Sequence, residues 1–163
     1  MSQKTDMLKK LSVIGSICEQ DDSEIQHFKV PLVYVKNKQL YNINSSNRMF
    51  YKQRMNIKNK YKNIIEPIIE KLDKFNSGHI HLVAQLVFTD KRMRDVDNII
   101  PGVLKWVQDS LVENEKLNDD KYVSFTFLPA IYGSKEEEHY CEFICIDLNS
   151  NEYFKEIKNE QKN

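Results

Sequence analysis

From His79 to Asn114 the chain passes from a two-residue period to a helical one, and few architectures accommodate that change. Ile80, Leu82, Ala84, Leu86 and Phe88 alternate with their neighbours, so His79 to Thr89 reads as a strand with a strongly apolar face. After Asn98 a helix is expected to about Asn114, burying Val103, Leu104, Val107 and Leu111. Pro101 belongs in its first turn, where a missing N–H costs little, so the helix should begin no earlier than Asn98. Trp106 suits the core better than a dimer contact. Between strand and helix lies a segment that is first cationic (Lys91, Arg92, Arg94) and then acidic (Asp95, Asp97).

Other elements flank this unit. Phe28, Val30, Leu32 and Tyr34 alternate as a strand that Pro31 pushes toward a sheet edge. Lys36-Asn37-Lys38 reads as a turn and Gln39 to Ile43 as a return strand, and Asn42 to Arg48 reads as a loop. Tyr51 to Phe75 carries Tyr61, Ile64, Ile65, Ile68, Ile69 and Leu72 at helical spacing, with a kink or restart expected at Pro67 and an end at Ser77-Gly78. Tyr122 to Ile131 is a strand interrupted late by Pro129, Gly133 to Glu138 a charged turn, and His139 to Leu148 the last strand. The expectation is an α+β fold: one domain over 26–148, a mixed β-sheet with two main helices packed on it. A polar extension (1–25), with a short amphipathic helix or frayed tail at Met7 to Ile17, and a polar tail (149–163) flank it.

The formal net charge is zero, yet charge is unevenly placed along the 163 residues. Ile25 to Ile65 contains no Asp or Glu but nine of the 24 cations, which leaves fifteen cations against all 24 acids elsewhere. Such polarity points to a polyanion partner for one face. On the first half of the Tyr51 helix Lys52, Arg54, Lys58, Lys60 and Lys62 have no interleaved acids for i,i+4 pairing, so phosphate contact is preferred to a merely solvated face. Cys18, Cys141 and Cys145 are an odd set without a disulfide framework or a preceding signal peptide, which suits a reducing cytoplasm. No apolar run is long enough to span a bilayer.

The acidic segment carries the chemistry. In an extended stretch Asp95 and Asp97 point the same way, and a second pair, Asp119 and Asp120, follows the helix. Carboxylates so grouped form a hard oxygen site of the kind that takes Mg²⁺. Arg94-Asp95-Val96-Asp97-Asn98, then Lys105 with Asp109-Ser110-Leu111, then Asp119-Asp120, resemble the motifs of the RusA-type Holliday-junction resolvases. Asn44-Ser45-Ser46-Asn47-Arg48 resembles the N-terminal Ser-Asn-Asn-Arg loop of that family. The resemblance covers roughly 28–148, with one departure. Pro101 stands where the family has its lysine, so that a short insertion around Ile100 to Gly102 displaces Lys105.

The resemblance implies a small homodimeric endonuclease of the cytoplasm of a bacterium or phage-infected cell that cuts four-way and other branched DNA by paired phosphodiester hydrolysis. Mg²⁺, or Mn²⁺ in its place, is the implied cofactor, with Asp95, Asp97 and Asp120 as ligands and Asp119 in support. Lys105 would offset transition-state charge, or else Lys91, Arg92 or Arg94 would. Asn47, Arg48, Lys52, Arg54, Lys58, Lys62, Arg92 and Arg94 would grip DNA phosphates, and Asn98 would cap the helix or serve the site. The alternatives are a catalytically impaired DNA-binding or regulatory relative and a metal-binding interaction domain. A zinc site built from His79, His81, His139, Cys141 and Cys145 is a weaker competitor, and a Cys–His nucleophile weaker still.

Overall fold

The computed structural model describes residues 25–35, 40–75, 79–119, 121 and 123–148. The polar extension before Ile25, the Lys36-Asn37-Lys38 turn, Ser77-Gly78 and the tail from Asn149 lie outside the described residues. In chain order the elements are β1 (Ile25–Pro31), α1 (Ile43–Asn47), α2 (Tyr51–Ile69), β2 (Ile80–Phe88), α3 (Val96–Glu113), β3 (Val123–Tyr132) and β4 (Tyr140–Asp147). The strands form one sheet ordered β1-β4-β2-β3, with β2 parallel to β3 and antiparallel to β4, and β1 antiparallel to β4. The fold is α+β, a mixed sheet under two long helices.

β2 is paired on both sides and buried on both faces apart from half-buried His81. Its Ile80, Leu82, Ala84, Leu86 and Phe88 join Phe28, Val30, Cys141, Phe143 and Cys145 beneath the helices. The opposite face has a separate cluster of Val83, Ile144 and Ile146, flanked by Ile25 and Leu128. α3 buries Ile99, Ile100, Val103, Leu104, Val107 and Leu111, on the order of 10 kcal/mol of apolar burial before the entropy of ordering is set against it. Trp106 packs between the helices, stacked on Tyr61 at 6.3 Å between ring centroids. β1 and β3 are the edges, which is where Pro31 and Pro129 cost no ladder bond. Beside Pro129 the β2–β3 register slips between Gln85 and Val87, and Gln85 Nε2 donates to the Pro129 carbonyl at 2.7 Å.

Several boundaries differ from expectation, each for a local reason. The Asn42 to Arg48 stretch is not a loop. Asn42 Oδ1 accepts the Ser45 N–H at 2.8 Å while Ser45 Oγ accepts the Asn42 N–H at 3.1 Å, a reciprocal capping box that starts α1. The return strand before it shrinks to one bridge, Tyr34 to Leu40. α2 runs through Pro67 without restarting and ends at Ile69, short of Phe75. The carbonyl that Pro67 leaves without its helical partner belongs to exposed Asn63.

α3 begins at Val96, two residues before the limit inferred from Pro101. Pro101 removes the bond to the carbonyl of Asp97, which is exposed, so nothing in the core is left unsatisfied. No bulge marks the Ile100 to Gly102 region. The helix is continuous, and a Cβ on Gly102 would lie 2.8 Å from Cε1 of the buried Tyr41 ring, so glycine is what admits that ring.

The far end of α3 closes with a Schellman motif. Glu115 N–H donates to Val112 O at 3.0 Å and Lys116 N–H to Leu111 O at 2.9 Å. Lys116 Nζ then donates to the Glu70 and Leu72 carbonyls, tying the ends of α2 and α3 together. The motif needs a left-handed residue, and here it is Glu115 at φ 55°. Glu115→Gly is expected to stabilise the protein by about 0.5–1 kcal/mol, raising the melting midpoint by roughly 1–4 °C. A lowered midpoint would show that the glutamate side chain contributes more than its backbone strain costs.

Candidate functional site

At the exit of β2 the chain must turn from strand to helix within a few residues, and an ion pair holds that turn. Arg94 Nη1 and Nη2 donate to Asp90 Oδ1 and Oδ2 at 2.6 and 2.7 Å, and the Arg92 N–H donates to Asp90 Oδ1 at 3.1 Å. Bidentate geometry makes this stronger than an ordinary surface pair. The guanidinium also lies 4.5 Å from the centroid of the buried Phe88 ring. The hydrogen bonds from Arg94 hold the Asp90 carboxyl well below the usual carboxylate range.

His139, buried on the turn before β4, completes the cluster. Its Nδ1 accepts the Thr89 N–H at 3.0 Å, and its Nε2 lies 3.1 Å from Arg94 Nη2 and 3.5 Å from Asp90 Oδ2. Burial, and then the charge of Arg94, push the imidazole below its ordinary 6.5, with Asp90 opposing. The unfolded chain therefore takes up this proton first, so the contribution of His139 is full above pH 6.5 and is lost as pH falls below it. Asp90 adds a loss on the same side, below its ordinary 3.8. The melting midpoint is expected to fall between about pH 7.5 and about pH 5.5, and His139→Asn, which keeps an acceptor for Thr89, should shrink that fall. It should not abolish it, because burial lowers His81 as well. An unchanged fall would remove His139 from the linkage.

Beside this cluster lies a groove of about 1000 Å³. One wall comes from the α1 region and the start of α2, with Asn42, Asn44, Ser45, Arg48, Gln53, Asn56 and Lys60, and the other from Arg92, Met93, Arg94, Asp95 and Asn98. Tyr34, Val35, Leu40, Met49, Ile57 and Ile99 complete the lining. Two stretches some fifty residues apart in sequence, the Asn-Ser-rich segment and the Arg94 to Asn98 motif, thus face each other. On the α2 wall Gln53, Asn56 and Lys60 recur at i, i+3 and i+7, the one signal in the sequence for the groove-facing side of that helix.

The carboxylates divide. Asp95 is the N-cap of α3 and lines the groove, its Oδ2 accepting a hydrogen bond from Asn98 Nδ2. Asn98 is therefore not the cap but the residue that orients the cap's carboxylate. Asp97 is exposed, sits in the first helical turn and is not on the groove walls. The extended geometry that would align the two is replaced by helix, where i and i+2 do not face each other. Asp120 lies outside the described residues. Its neighbour Asp119 accepts the Lys121 N–H at 3.0 Å as a turn residue and pairs with Lys121 Nζ at 3.1 Å. Val123, just beyond, pairs with Ile80 at the entry of β2, whereas Asp95 follows its exit. Asp95 and Asp119 thus flank opposite ends of the sheet. Among the described residues no three His, Cys, Asp or Glu side chains gather as a metal site.

The cations also divide. Arg48, Lys60 and Arg92 line the groove. Arg94 lines it too, but its guanidinium is committed to Asp90. Asn47, Lys52, Arg54, Lys58 and Lys62 are not on the walls. Lys62 bonds Glu113 at 3.0 Å and Glu66 at 3.3 Å, bridging α2 to α3, and Lys58 lies 5.8 Å from the Trp106 ring centroid. Lys105 pairs with Asp109 at 2.7 Å, away from the groove.

Cys141 and Cys145 face the core beneath the helices, while His81 is on the opposite face of the sheet with Ser124 and Thr126, so the zinc grouping does not form. Burial pushes both thiols far up, so neither Cys141 nor Cys145 is poised as a nucleophile. No helix among the described residues is long and apolar enough to cross a membrane. No protein-family model matches the chain, and no curated protein matches it.

Proposed function

We propose that the protein is a Mg²⁺-dependent endonuclease acting on branched DNA as a homodimer, in the manner of the RusA-type resolvases that its motifs resemble. The observation that carries the reading is the groove. It joins Arg48, Lys60 and Arg92 to Asp95 and Asn98 on one surface, so phosphate-binding cations border an oriented carboxylate. Bound Mg²⁺ would acidify a water and offset charge on the phosphate. The chain's own part is to supply Asp95 in a fixed orientation and to hold DNA by its backbone.

A second copy supplies what one chain separates. β3 is an edge strand whose Phe125 and Phe127 are 50% and 41% exposed and stacked at 5.2 Å, an apolar edge suited to pairing. Two β3 strands pairing antiparallel about a two-fold axis set the entry of one beside the exit of the other. Asp119 and Lys121 of one protomer then share an end of the joined sheet with the partner's β2 exit, so the carboxylates that the resemblance names would be drawn from both chains.

Mixed dimers test this directly. Asp95→Asn and Asp120→Asn are each expected to abolish cleavage of a four-way junction while binding survives, and mixing the two inactive proteins should restore nicking through the one site left intact. Absence of restored activity in verified mixed dimers would place all the ligands in one chain.

DNA grip is tested by salt. Arg48→Ala and Lys60→Ala should each flatten the dependence of junction affinity on salt by about one unit of slope, and Lys62→Ala should leave it unchanged. Equal effects of all three would mean that the charge of the helix face, rather than the groove, holds the DNA. A second reading, junction binding without cleavage, is favoured by the placement of Lys105 against Asp109 and off the groove. Binding with no Mg²⁺-dependent cleavage by the wild-type protein would select it.

A further inference from the structure

Met93 stands on the groove wall between two arginines, with 78% of its surface exposed. A lone exposed apolar side chain is ordinary on a protein surface, but this one is displayed by a fixed backbone. Asp90 holds both the Arg92 N–H and the Arg94 guanidinium, Arg94 Nη1 donates to Arg92 O at 3.0 Å, and Gly133 N–H donates to Asp90 O at 2.9 Å. Arg94 is held in turn over the buried Phe88 ring. Tyr34, which also lines the groove, is 44% exposed and lies 6.1 Å from the His139 ring between centroids.

Resting on the action at branched DNA argued above, we propose that Met93 is a wedge that enters the base stack where the strands part, with Tyr34 offering a ring face to the displaced base. Insertion costs least where stacking is already interrupted, as at a branch point, so a wedge favours junctions over linear duplex. An unbranched, polarisable thioether adapts to the gap between base planes. Arg48, Lys60 and Arg92 around it can hold the flanking phosphates while the bases move. The clamp at Asp90 supplies the rigidity, because a loose loop would swing aside instead of unstacking the step.

The test uses full-length protein, a four-way junction carrying 2-aminopurine beside the crossover, and a linear duplex of the same sequence. Wild type and Met93→Leu should raise 2-aminopurine emission on the junction. Met93→Ala should lose most of that rise and bind the junction about tenfold more weakly, with duplex affinity unchanged. A rise retained in Met93→Ala, or equal losses on junction and duplex, would overturn the wedge. If the wild type binds and cuts junctions with no rise, the wedge falls and the proposed function stands, whereas a wild type that binds no DNA removes both.

Discussion

The ion pair between Arg94 and Asp90 governs how the central strand becomes the principal helix. β2 ends at Phe88 and α3 begins at Val96, and in that interval one carboxylate collects the guanidinium and a backbone N–H while His139 packs its ring nitrogen beside the ion pair. Because Thr89 and Gly133 also bond into this corner, the turn is tied to the sheet and to the β3–β4 connection at once. Asp95 inherits its position from that anchoring. Asn98 then orients its carboxylate from within the first turn of α3.

Much of this architecture is legible in the sequence, for reasons specific to each element. β2 and β4 show because a strand buried on both faces is almost continuously apolar, and α3 because Val103, Leu104, Val107 and Leu111 keep strict helical spacing. α1 does not show. Its five residues are poor helix formers, and it exists because the side chains of Asn42 and Ser45 satisfy each other's backbone, a reciprocity that composition does not reveal. The start of α3 was misplaced by treating Pro101 as a first-turn residue, when an exposed Asp97 carbonyl tolerates it one turn deeper.

The candidate site was legible in part for the same kind of reason. The Asn-Ser-rich segment and the Arg94 to Asn98 motif stand out as motifs in the sequence, and the fold makes them the two walls of the groove. The cations of α2 have partners that the stretch up to Ile65 does not show: Lys62 pairs with Glu66 four residues on and with Glu113 on α3, and Lys58 lies near Trp106, while Lys60 between them lines the groove. The orientation of Asp97 was misread with the helix boundary, since an alternating pattern and a helical first turn aim neighbouring carboxylates differently.

The two core cysteines have a practical consequence. Cys141 and Cys145 are wholly buried on β4, and burial keeps their thiols protonated far above neutrality. A thiol-alkylating reagent can reach them only when the sheet separates from its helices, so their rate of modification reports the opening of the folded core. With Cys18 replaced by serine, the chain becomes its own clock for unfolding, readable by mass alone and independent of any bound nucleic acid that would obscure an optical signal.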